Sequence, residues 1–198
     1  MMSKDNRGKD ICSSDIGGSD ICGIDVVGSG KEKDCAFAGC RRAEVQETLS
    51  IDPCIFEEAH ALITNEGTSL VVIDKSKIVY TADGRGIAPL LDLYGRDKEK
   101  LLGACVVDRV IGKAAAMILT LGEAGAVYGE VMSKSAADYL RERGIAALSG
   151  KNVAAIEGRE VGSMCPIESS VLDKDDPAEG LAAITNKLAQ LRGIKGES

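Results

Sequence analysis

Cys165 stands directly before Pro166 and three residues ahead of Glu168, in the run Gly162-Ser163-Met164-Cys165-Pro166-Ile167-Glu168. As a nucleophile, this thiol needs a nearby cation to favour the thiolate. Lys113 or Arg85 could supply that charge, with Glu168 as proton carrier or orienter. As a small hydrophobe, Cys165 packs into the interior and Glu168 stays in solvent, since free cysteine is often buried and inert. The residues alone leave both readings open.

Two further runs carry chemistry. Asp83-Gly84-Arg85-Gly86 leads into a predicted helix start. The glycines Gly84 and Gly86 let backbone N–H groups approach a ligand, the helix dipole favours an anion, and Arg85 adds a bidentate donor. The same run also reads as an ordinary polar turn after a strand. In Asp108-Arg109-Val110-Ile111-Gly112-Lys113, Asp108 ends a predicted buried strand and can cap the next helix. Gly112 then falls one turn into that helix, where it costs about 1 kcal/mol relative to alanine and suits the close approach of a ligand or another backbone. Lys113 either snorkels to water or points into a site with its charge paired.

Metal chemistry finds little support. Cys35, Cys40 and Cys54 lack the tight paired spacing of a zinc site, and the lone histidine, His60, is placed on a helix with no visible partner. No cofactor is expected.

These residues need elements to hold them. The chain has 198 residues, 44% hydrophobic and 28% charged, enough for one ordinary domain with a packed core. Residues 1–50 are expected to be a disordered leader: the Gly-, Ser- and Asp-rich near-repeat within it offers little to bury. The folded domain is expected over 51–175, followed by a C-terminal helix and tail over 176–198. Asp52 or Ser50 caps a first helix carrying Ile55, Phe56, Ala59, Leu62 and Ile63 as one stripe. Ser69–Asp74 and Lys77–Ala82 read as a hairpin, and a helix follows over Ile87–Tyr94. A strand ending at Asp108 runs into a helix from Val110, a strand Ala126–Val131 into a helix Lys134–Arg143 capped by Ser133, and two short strands follow. Asp176-Pro177 opens the last helix. Strands alternating with helices predict an α/β fold, a three-layer α-β-α sandwich with a mixed, largely parallel sheet. Ligands on such sheets collect at strand carboxyl ends and helix amino ends.

Composition excludes some partners. The net charge is −7 and aromatics are 3% of residues, which argues against nucleic acid as a partner. No run is long and apolar enough for a membrane span or a signal peptide. Seven cysteines without a disulfide spacing fit a reducing cytoplasm. Whether identical chains assemble into a homo-oligomer stays open.

The runs RGIAPLLDL (85–93), GACVVDRVIGKAAAM (103–117), EVMSKSAADYL (130–140) and CPIE (165–168) occur in this order at these separations. Together they resemble an uncharacterised prokaryotic domain family of unknown function, over roughly Ile55 to Leu172. Its members look like cytidine deaminases in fold but lack the zinc signature. The resemblance implies a cytidine-deaminase-like sandwich in which Gly84, Arg85, Gly86, Asp108, Gly112, Lys113, Ser133, Cys165 and Glu168 converge on one cleft. Zinc deaminases need H-x-E or C-x-E at one helix start and P-C-x-x-C at the next. Here His60 is followed by Ala61-Leu62, and Pro53-Cys54 has Glu57 where the second cysteine would stand. Zinc-dependent deamination is therefore not expected.

The leading expectation is a protein whose metal-free pocket binds a small anionic ligand, nucleotide-like molecules included. Arg85 and the adjacent helix start would hold the anion, Lys113 and Asp108 would orient the ligand, and Cys165 with Glu168 would supply any reactivity. The alternatives are a metal-independent enzyme with Cys165 as nucleophile, and a non-catalytic interaction or redox-sensing module working through the cysteine-bearing leader.

Overall fold

The computed structural model describes residues 45–158 and 162–193. The expectations placed on the leader up to residue 44, Cys35 and Cys40 included, lie outside the described residues. A π-helical turn, Val45–Leu49, precedes the first helix and packs Val45 and Leu49 into the core, so ordered packing begins ahead of residue 51. Helix α1 spans Pro53–Asn65, with Asp52 accepting from the Cys54 N–H at 2.8 Å as its cap. Strands β1 (Leu70–Asp74) and β2 (Lys77–Ala82) form the expected hairpin. Then come α2 (Ala88–Asp97), β3 (Cys105–Ile111), α3 (Lys113–Leu121), β4 (Ala126–Ser133), α4 (Lys134–Glu142), β5 (Ala146–Val153), the single turn α5 (Pro166–Ser169) and α6 (Pro177–Gly193).

The five strands form one sheet in the order β2-β1-β3-β4-β5. The sheet is mixed. β3, β4 and β5 run parallel through helical crossovers, whereas β1 is antiparallel to both β2 and β3. The parallel character is thus confined to one half, because the Lys75-Ser76 connection is too short for anything but an antiparallel return.

Alternate residues of each strand feed two cores. Leu70, Val72, Val106 and Val127 face α2, α3, α4 and α6; Val71, Ile73, Val107 and Tyr128 face α1 and the π-helical turn. β1 reads as a continuous apolar run because helices cover both its faces.

Two boundaries differ from the sequence-based expectation in ways that matter for the site. β3 continues through Val110 and Ile111, which pair with Val131 and Met132 of β4, so the next helix opens three residues later than expected. Asp108 therefore lies inside the strand and does not cap α3. Gly112 sits at the N-cap of that helix instead of one turn inside it. The two short strands expected after α4 are one strand, β5.

Candidate functional site

The cleft begins where β3 gives way to α3. A cavity of about 270 Å³ opens there, walled by the Gly84–Ile87 loop, Asp108 to Val110, the first turn of α3 and the Cys165–Glu168 segment. Its apolar surface comes from Ile87, Leu90, Val110, Ala114, Ala115, Ile156 and Ile167. Its polar side chains include Ser69, Arg85, Asp108, Cys165 and Glu168.

The Gly84–Gly86 loop is held from below. Ser69 Oγ donates to the Gly84 carbonyl at 2.7 Å and accepts from the Gly84 N–H at 3.2 Å. Gly84 has φ +156° and Gly86 φ +59°, backbone that side chains other than glycine rarely adopt. A Cβ on Gly84 would also lie 2.8 Å from Pro89 Cγ. The loop projects Arg85 to the cleft rim, exposed and with no hydrogen bond or ion pair to another described residue. The cleft's second guanidinium, Arg109, is committed: it donates to the Gly67 and Thr68 carbonyls.

Asp108 is 9% exposed and faces the cleft. Its Oδ1 accepts from the Val110 N–H at 3.0 Å. Burial outweighs the backbone donors and the charge of Arg109, and pushes the carboxyl up from 3.8 to about 7. A carboxyl poised there can give or take a proton at neutral pH.

Glu168 lines the cavity, but its carboxyl oxygens are engaged by protein donors and are not free to act as a reactive group. The Glu168 side chain is 2% exposed and tied off on all sides. Oε1 accepts from the Lys113 N–H at 3.3 Å, from Ser133 Oγ at 2.5 Å and from Ser135 Oγ at 2.9 Å; Oε2 accepts from the Ile156 N–H at 2.7 Å. The carboxylate thus sits at the first N–H of α3 and beside Ser133, the N-cap of α4, an internal anion at two helix starts. Ser133 is fully buried in that role and does not line the cavity.

Lys113 also turns away. Its Nζ donates to the Leu172 carbonyl at 2.7 Å, lies 4.0 Å from Asp175 Oδ1 and stands over the Tyr139 ring. Only the backbone of Lys113 serves the site, through Glu168. Among the expected residues, the structure therefore brings Gly84, Arg85, Gly86, Asp108, Gly112, Cys165 and Glu168 to one cavity, and directs the side chains of Lys113 and Ser133 elsewhere.

Cys165 is half-buried on the cavity wall, its N–H donating to the Ile156 carbonyl at 2.8 Å. Cys105, by contrast, is sealed in the core, where burial pushes its thiol up to about 12 and makes it inert. Among the described residues, no group of three or more His, Cys, Asp or Glu side chains is placed to hold a metal ion.

Gly112 earns its place by close approach: a Cβ there would lie 3.2 Å from Ile156 Cγ1 and 3.3 Å from Glu168 Cδ. Gly112→Ala should cost about 1–3 kcal/mol by overpacking. Thermal denaturation checks this, and an unchanged midpoint would mean that the wall yields freely.

Sequence reasoning missed Ser69, whose hydroxyl fixes the Gly84 loop from fifteen residues away, and the apolar wall formed by Ile156 and Ile167. A serine before an apolar strand carries no local signal of such a contact. His60 has found a partner on the far face of the sheet, with Nε2 2.5 Å from Glu130 Oε1 and its ring against Phe56 and Tyr128.

Known proteins bear on this arrangement. The profile of a domain of unknown function, DUF1893, matches residues 58–188. No curated protein matches the chain. The crystal structure of a DUF1893 family protein from Thermotoga maritima is similar, with a TM-score of 0.61 and 27% identity over 69% of this chain and 90% of that one. The profile spans well over half the sequence and includes every cleft segment described above: the chain belongs to the DUF1893 family.

Proposed function

We propose that the cleft binds a small anionic molecule on a cytidine-deaminase-like scaffold without the zinc site. The scaffold reading is supported by the starts of α2 and α3. These are the two stations at which a zinc deaminase sets its ligands, and here both open on the same cavity. The stations carry Arg85-Gly86-Ile87 and Gly112-Lys113 where the metal-binding residues would stand.

One observation carries the binding reading: the uncommitted Arg85 guanidinium shares an apolar cavity with the buried Asp108 carboxyl, whose proton is in play near neutral pH. Arg85 supplies the anion contact, Asp108 a hydrogen bond whose sense follows its protonation state, and the aliphatic wall excludes water. A reducing cytoplasm suits the free thiols Cys105 and Cys165. Among the described residues no helix is long and apolar enough to cross a membrane.

A saturation-transfer NMR screen of small organic acids and nucleosides, followed by calorimetric titration of the hits, tests the reading. Arg85→Gln should weaken the binding of any hit at least tenfold while moving the melting temperature by no more than about 2 °C, as expected of an exposed side chain. Hits indifferent to Arg85→Gln would count against the site.

A second reading is favoured by the position of the Cys165 thiol on the cavity wall: an enzyme with Cys165 as nucleophile. Lys113 cannot be its activating charge while its ammonium is held by Leu172 and Asp175, which leaves Arg85 as the nearby candidate. Iodoacetamide labelling across pH, read at the Cys165 peptide, decides it. Labelling that tracks an ordinary thiol and is unaffected by Arg85→Gln removes the nucleophile.

A further inference from the structure

We infer that the ligand of this cleft is a compact monocarboxylate, with its carboxylate on Arg85 at the rim, its apolar body against Leu90, Ala114 and Ile167, and a polar group reaching Asp108. The inference rests on the binding reading above and adds the chemical class.

The argument starts from the donors that an anion would need. Phosphate groups on α/β sheets are held by several backbone N–H groups at a helix start, assisted by the dipole. In this protein the start of α3 is already filled from within, because Glu168 accepts from the Lys113 N–H and from Ser133 at the start of α4. A phosphate seated there would meet a buried carboxylate that has four donors of its own.

The start of α2 is also thinned of donors. Its second residue is Pro89, which has no N–H, and the Gly84 N–H is engaged by Ser69. Among side chains, what remains for an anion there is the planar fork of Arg85, whose geometry matches one carboxylate bidentately.

Size points the same way. A cavity of about 270 Å³ lies just below the range of roughly 300–1,000 Å³ typical of sites for drug-sized ligands. It suits a single ring or a branched aliphatic body better than a base, sugar and phosphate together. The aliphatic walls would take up that body, and Asp108 offers the one carboxyl beside them that is not tied off by side-chain donors. A hydroxyl or ring N–H at the buried end of the ligand would meet it.

The test uses the full chain with three probes: 4-hydroxybenzoate, cytidine 5′-monophosphate and inorganic phosphate, each titrated by calorimetry and by protection of Cys165 from iodoacetamide. Saturable binding of 4-hydroxybenzoate, weakened at least tenfold in Arg85→Gln, with neither phosphate probe binding, is the expected result. Binding of cytidine 5′-monophosphate or inorganic phosphate that depends on Arg85 overturns the carboxylate class but keeps the anion-binding reading. If none of the three binds, the class is again overturned, and a screen of neutral and cationic fragments for Cys165 protection decides the cleft itself. Protection by any of them retains a binding cleft of different chemistry, and no protection removes both.

Discussion

Glu168→Ala should destabilise the protein by about 3–5 kcal/mol, the largest loss expected from any single side chain around the cleft. The substitution removes one carboxylate and strands four donors: the Lys113 and Ile156 N–H groups and the Ser133 and Ser135 hydroxyls. Each buried donor left unmet costs about 1–3 kcal/mol, and entering water and relaxation keep the sum below simple addition. The effect reaches three segments at once, because the carboxylate joins the start of α3, the start of α4 and the loop after β5. Urea denaturation monitored by circular dichroism measures it. For a chain of this size the melting temperature should fall by roughly 10 °C. Glu168→Gln keeps an acceptor but sets an NH₂ group against existing donors, so an intermediate loss is expected. A loss below about 1 kcal/mol for the alanine variant would show that Glu168 does not brace the cleft and would reopen its role as a reactive group.

Asp108→Asn should have the opposite sign at alkaline pH. The folded protein holds the Asp108 proton up to about 7, whereas the ordinary value for an exposed aspartate is 3.8. Between those values the unfolded chain has lost the proton and the folded one has kept it. Stability therefore falls as pH rises from about 4 to 7, and the loss persists above 7. A shift of this size corresponds to at most about 4 kcal/mol. Asparagine is neutral throughout and still accepts from the Val110 N–H through its carbonyl, so the variant should match the wild type near pH 4 and exceed it by a few kcal/mol at pH 8. Paired urea titrations at pH 4.5, 6 and 8 give the difference, which cancels the titration of other groups. Parallel profiles would mean that the Asp108 carboxyl is not burdened by burial. Selection of an aspartate where asparagine is more stable fits a group kept for its proton, the pattern expected at functional sites.

The elements themselves were legible at the level of type and order. The apolar stripe of α1 and the cap at Asp52, the hairpin around Lys75-Ser76 and the Ser133 cap of α4 are local signals, and each recurs in the structure. The α3 boundary was not legible. Val110 and Ile111 precede a helical run and match its apolar pattern, yet they pair with β4, because an unpaired central strand end would leave backbone groups unmet. That single shift moved Asp108 from a cap to a buried carboxyl and Gly112 from helix interior to N-cap.

The cleft was legible in outline. Arg85 between two glycines and the Cys165–Glu168 run both line it. The roles within it were not legible, because they depend on partners far away in the chain. Glu168 meets Lys113 across 55 residues and Ser133 across 35, and Lys113 meets Leu172 across 59. A lysine at a strand-to-helix junction reads equally as a site residue or as a structural tie, and only the position of the Leu172 carbonyl and Asp175 decides between them.

The sequence by itself determined the α/β class, the succession of strands and helices, and the chemical groups available to a cleft, since propensity, periodicity and capping act within a few residues. Tertiary structure alone decided which groups face the cavity and in what state. Burial raises the Asp108 carboxyl, long-range donors occupy Glu168, and the Leu172 carbonyl draws Lys113 away, leaving Arg85, Asp108 and Cys165 to face whatever enters. Desolvation and hydrogen bonding depend on neighbours in space, and no spacing along the chain records them.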